Sequence, residues 1–90
     1  MKLKCIAIDD EPLALDVISE YIGKNPFLES LGRFTNGIKA LAFLETNPVD
    51  LIFIDIQMPD LTGFQLIEKL RIKPLIIFTT AYGKYALDGF

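Results

Sequence analysis

A three-layer α/β fold, one parallel sheet with helices on both faces, is predicted by two periodicities that alternate along the chain and by strands that are apolar throughout. Strand, helix, strand, helix, strand, helix, strand is the order that right-handed βαβ crossovers generate, because parallel neighbours need a helix to return the chain. Strands without polar alternation fit burial on both faces, as in parallel sheets.

Each element has its own signal. Leu3 to Ile8 reads as a buried strand, and Pro12 then opens a helix in which Leu13, Val17, Ile18, Tyr21 and Ile22 recur at helical spacing. Gly23 and the Asn25-Pro26 pair close it. Phe27 to Phe34 gives a weaker second strand, and Thr35-Asn36-Gly37 leads into a helix carrying Ile38, Leu41, Ala42 and Leu44, stopped at Asn47-Pro48. Asp50 to Ile54 is the third strand. Phe64, Leu66, Ile67 and Leu70 mark a third helix, and PLIIFTT from Pro74 is a fourth strand rich in β-branched and aromatic residues. With no repeat, low-complexity tract or linker, residues 1–90 are drawn as one domain.

Composition narrows the function classes. At 51% hydrophobic and 23% charged residues, the 90-residue chain has enough apolar material for a packed core. No apolar run approaches the roughly 18 residues of a membrane span, and MKLKCIAIDD is too short in its apolar stretch for a signal-peptide core, so a cytoplasmic protein without membrane contact is expected. The net charge is −3 and the nine Lys and Arg residues are scattered, which makes a poor nucleic-acid surface. The single cysteine, Cys5, lies inside the first apolar run and is read as a reduced core residue. Neither GxGxxG nor GxxxxGK[ST] occurs, so nucleotide binding has no support.

The acids carry the chemistry. Asp9 and Asp10 follow the first strand, and Asp55 follows the third, where the run Leu51-Ile52-Phe53-Ile54 breaks. In open α/β sheets ligands gather outside the carboxyl ends of the strands, where the winding reverses. In the flavodoxin-like strand order 2-1-3-4, strands 1 and 3 are neighbours roughly 4.8 Å apart, and the three acids share one pocket. Two carboxylates about 5 Å apart repel by roughly 3 kcal/mol at an effective dielectric near 20, so a proton or a cation must offset them. Hard oxygen donors suit Mg²⁺ better than zinc, for which the chain offers no histidine and only a buried cysteine. A single Asp at a strand end is ordinarily a cap or turn former. Capping does not explain why the acidic pair, the lone Asp and the hydroxyl pair Thr79-Thr80 fall on one sheet edge.

IAIDDEP at 6–12, LIFIDIQMPDLTGF at 51–64 and IIFTTAY at 76–82 resemble, in this order and spacing, the receiver domain of two-component response regulators. TAYGKYALDGF is similar to the receivers of LytTR-type regulators, in which a DNA-binding module follows. The resemblance implies a flavodoxin-like receiver fold, with Asp55 as phosphate acceptor, Asp10 ligating Mg²⁺ directly, Asp9 acting through a coordinated water, and the backbone carbonyl of Gln57 completing the protein's metal ligands. It makes Thr80, which Ala81 follows, the switch hydroxyl, and it places Pro59 and Gly63 in the loop after the acceptor. Glu11 matches a common acidic neighbour. The chain holds no histidine, so the donor acts in trans, and the family supplies a sensor histidine kinase. A receiver is a phosphoacceptor rather than an enzyme with turnover.

The family's fifth strand and helix, with a lysine that contacts the phosphate and an aromatic residue that moves with the switch threonine, have no match in the chain. It is therefore expected to be truncated, to reach DNA only through a missing C-terminal domain, and to expose strand 4 as an edge that invites self-association. The stripe Tyr82, Tyr85, Leu87 and Phe90 is expected to pack back locally. The alternative is a non-phosphorylated receiver-like dimerisation or docking module. An aspartate-nucleophile phosphatase would need a second acid two residues after Asp55, where the chain has Gln57.

Overall fold

A computed structural model of the chain describes residues 2–58 and 61–79. It contains β1 (Leu3–Ile8), α1 (Pro12–Lys24), β2 (Leu28–Phe34), α2 (Gly37–Thr46), β3 (Leu51–Asp55), α3 (Gly63–Glu68) and β4 (Leu75–Thr79). All pairings are parallel and the sheet order is β2-β1-β3-β4, the expected flavodoxin-like arrangement.

Alternation along the central strands builds the layers. Ile6, Ile8, Ile52 and Ile54 face α2 and α3, where they pack with Ala40, Met58 and Leu66; Cys5, Ala7 and Leu51 face α1 and pack with Leu15 and Ile22. Both clusters are buried, and β1 and β3 between them are the apolar runs that the sequence displays. Cys5 is fully enclosed, and burial pushes its thiol pKa up, which keeps it protonated and inert.

Local chemistry fixes the helix starts. The Asn36 side chain accepts from the backbone N–H groups of Ile38 and Lys39 at 2.8 and 3.0 Å and caps α2. Thr62 and Gln65 form a reciprocal capping box at the start of α3, with bonds of 3.1 and 2.9 Å. Beside β1, the β2 strand carries one extra residue, since Cys5 pairs with Ser30 but Ile6 with Gly32; past this bulge, Asp9 N–H donates to the Phe34 carbonyl at 3.0 Å.

The helices are rotated from the expected stripes. On α1, Leu13, Val17 and Tyr21 are 75%, 51% and 70% exposed, and the sheet is met instead by Leu15 and Ile22 with Ile18 beside them. Apolar residues occupy most of the circumference of α1, so spacing alone leaves the buried face open. On α2, Ile38 is exposed and Ala40 fully buried, because a small side chain lets the helix lie close to the strands. Helix α3 stops at Glu68; the N–H groups of Lys69 and Leu70 bond three residues back, to Leu66 and Ile67, which tightens the last turn.

Candidate functional site

Three strand ends converge on the site. Asp9 follows β1 directly; its Oδ1 accepts from Glu11 N–H at 2.9 Å, an Asx turn that steers the chain into α1 at Pro12. The ordinary turn-forming role of an Asp is thus real here, and it uses only one of the two oxygens. The other, Oδ2, is buried without a hydrogen-bond partner. Asp10 is half-buried alongside. Asp55 is the last residue of β3, where the sequence suggested a position just after the strand, and it is paired across the ladder with Thr79 of β4.

The acids do meet. One oxygen from each of Asp9, Asp10 and Asp55 lies within 4.8 Å of the others. Asp9 is wholly buried and Asp55 is 9% exposed, so neither charge is well solvated. Burial is the main cause that raises the Asp55 carboxyl from 3.8 to about 6; the charge of Asp9 adds to this, a bond from Gln57 N–H opposes it, and Asp10 contributes less. Asp9 is also raised, chiefly by burial, against the lowering effect of the Glu11 N–H bond.

A folded-state pKa above the unfolded one means that the native chain holds its proton more tightly, so stability is lost as pH rises from about 4 to 6. For Asp55 that loss is roughly 3 kcal/mol at most. Urea unfolding of the wild type and Asp55→Asn across this range is expected to show the asparagine protein gaining relative stability as pH rises. A difference that stays constant with pH would refute the account.

The remaining predicted residues are distributed as follows. Gln57 lies two residues beyond Asp55 with an exposed side chain, and Glu11 is exposed with its N–H on Asp9. Gly63, expected in the loop after Asp55, is the first residue of α3, and no glycine among the described residues has positive φ. Its requirement is space: a Cβ there would lie 2.7 Å from the Asp55 carbonyl oxygen, and the Gly63 N–H donates to the Ile56 carbonyl at 3.0 Å. Thr80, Pro59 and the stripe Tyr82, Tyr85, Leu87 and Phe90 lie outside the described residues.

The sequence places Thr79 with Thr80 as a hydroxyl pair at this sheet edge but assigns it no role of its own; its hydroxyl oxygen is buried and without a partner. The signal was present, because aligning LIFID of β3 with LIIFT of β4 sets Asp55 opposite Thr79.

These oxygens fit a hard divalent cation. Three carboxylates converge in a poorly solvated corner, and one buried oxygen of Asp9 has nothing to bind.

Comparison with known proteins identifies the family of the chain. The family model described as the response regulator receiver domain matches residues 5–88. Protein MrkE of Klebsiella pneumoniae is 39% identical over 92 residues, covering 99% of this chain and 34% of MrkE. Transcriptional regulatory protein YpdB of Escherichia coli K12 is 38% identical over 91 residues, covering 98% of this chain and 37% of YpdB. The chain thus spans little more than a third of these relatives. The crystal structure of the MrkE response regulatory domain superposes with a TM-score of 0.78 at 38% identity, covering 98% of this chain and 75% of that one. The receiver domain of NarL from Mycobacterium tuberculosis agrees in fold, with a TM-score of 0.81 at 20% identity over 96% of this chain and 72% of that one.

Proposed function

The chain belongs to the response regulator receiver domain family, and from that premise we propose that Asp55 accepts a phosphoryl group from a donor outside the chain. The observation that carries this is the convergence of Asp9, Asp10 and Asp55 within 4.8 Å at one end of the sheet.

Asp55 supplies the nucleophile. One Oδ forms the bond to phosphorus as the donor's P–N bond breaks, and the leaving imidazole nitrogen keeps the electron pair. An ionised carboxylate needs no general base, and a carboxyl raised to about 6 is ionised at neutral pH while remaining a stronger nucleophile than an ordinary aspartate. Lacking histidine, the chain takes the group in trans, which suits a sensor histidine kinase. Asp10 and Asp55, the Gln57 carbonyl, and Asp9 through a water would hold Mg²⁺. Bound there, the ion would neutralise charge on the oxygens of the transferring phosphoryl group.

Phosphate on Asp55 adds charge and three strong acceptors, toward which the Thr80 hydroxyl would move as the switch. The likeness to MrkE and to the transcriptional regulator YpdB supports a cytoplasmic, LytTR-type regulator that acts on DNA through a linked module. The test is labelling by a small-molecule phosphodonor. Label that requires Mg²⁺ and maps to Asp55 is expected; a chain that stays unlabelled would favour the alternative, a non-phosphorylated docking module.

One feature favours association in either case. Among the described residues β4 is an edge strand, with Leu75 and Ile77 65% and 45% exposed. We expect copies of the chain to associate through it, so sedimentation should show mass rising with concentration. A monomer at every concentration would reject this.

A further inference from the structure

Among the described residues, two buried side-chain polar atoms lack a hydrogen-bond partner: Asp9 Oδ2 and Thr79 Oγ1. They lie at the same end of the sheet, on the strands that flank β3, so the two unsatisfied groups bracket Asp55. Folded proteins rarely leave such groups unpaired, and a pair of them around one carboxylate points to partners acquired when the site is loaded.

Their chemistry differs. Asp9 Oδ2 can only accept unless it is protonated, which suits a cation. Thr79 carries an O–H that can donate, which suits an anionic oxygen. Thr79 and Asp55 are register partners in parallel strands, so Phe53, Asp55, Ile77 and Thr79 share one face of the sheet. Neighbouring strands are about 4.8 Å apart, within reach of a hydrogen bond between two short side chains. The neighbouring Gln57 N–H favours the charged form of Asp55, and the Thr79 hydroxyl has no bond. Rotation about χ1 of Thr79 between staggered positions would bring the hydroxyl round.

We infer that Thr79 is a positioning residue for the acceptor: its hydroxyl donates to one Oδ of Asp55 in the reacting state and leaves the other Oδ free to attack phosphorus. The proton stays on Thr79 throughout. The role is separate from that of the proposed switch hydroxyl, Thr80, and it rests on Asp55 being the acceptor.

The experiment compares labelling rates with a small-molecule phosphodonor and Mg²⁺ in the wild type, T79V, T79S and T79A, with a thermal melt of each. T79V is expected to melt no lower than the wild type, because a methyl replaces an unpaired hydroxyl of the same shape. It is also expected to label about tenfold more slowly, the weight of one hydrogen bond to a charged group. T79S should recover most of the rate. If T79V folds poorly, T79S against T79A isolates the hydroxyl, since neither has the γ-methyl. Wild-type rates in a folded T79V, or equal rates in T79S and T79A, would overturn the inference. Absence of label on Asp55 in the wild type would instead overturn the acceptor assignment.

Discussion

Asp55→Asn is expected to lose all Mg²⁺-dependent phosphoryl labelling and to melt at a higher temperature than the wild type at neutral pH. The amide has the shape of the carboxylate but no anionic oxygen, so no nucleophile remains at the end of β3. The gain in stability has a separate cause. Asp55 is 9% exposed, and its charged form is opposed by burial and by Asp9. Removing that charge relieves up to roughly 3 kcal/mol of opposition, offset by the weaker bond that a neutral amide accepts from Gln57 N–H. A net gain of about 1 kcal/mol would raise the midpoint by roughly 4–8 °C in a domain of this size. The two readouts move in opposite directions, so lost labelling cannot be put down to unfolding. Labelling that persists undiminished in the variant would remove Asp55 from its role.

The convergence of acids was legible in the sequence, and the reason is topological. A continuous apolar strand ends where its first acid appears, and parallel winding puts the ends of β1 and β3 side by side whatever the side chains do. Strand β1 falls at Leu3–Ile8 for this reason, and the sheet order follows from the crossovers. What spacing could not give was the rotation of α1. Leu13, Val17 and Tyr21 repeat as regularly as Leu15, Ile18 and Ile22, and only packing against Cys5 and Ala7 selects the second set. The unpaired oxygens of Asp9 and Thr79 were equally hidden, because whether a polar atom finds a partner depends on atomic contacts that a pattern of residue types does not encode. Gly63 shows the same limit, since its place after Asp55 was evident while the reason for it is a single close approach.

That approach makes Gly63→Ala the most damaging small substitution expected outside the acids. The added Cβ would meet the Asp55 carbonyl oxygen at 2.7 Å and the Ile56 Cα at 3.4 Å, and the closer obstacle is main chain that cannot swing aside. Relief requires either α3 or the end of β3 to move. Moving α3 strains the 3.0 Å bond from Gly63 N–H to the Ile56 carbonyl and the Thr62–Gln65 capping box, and moving β3 displaces Asp55 itself. Alanine is favoured over glycine in a helix by at most about 1 kcal/mol, whereas overpacking costs about 1–3 kcal/mol, so a net loss near 1–2 kcal/mol is expected together with slower labelling. Gly23 provides the control: it lies in α1, and a Cβ there would meet nothing within 4 Å. Gly23→Ala should therefore melt at or above the wild-type temperature and label normally. If Gly63→Ala behaves like Gly23→Ala in both measurements, contact between the start of α3 and the Asp55 main chain does not constrain the site.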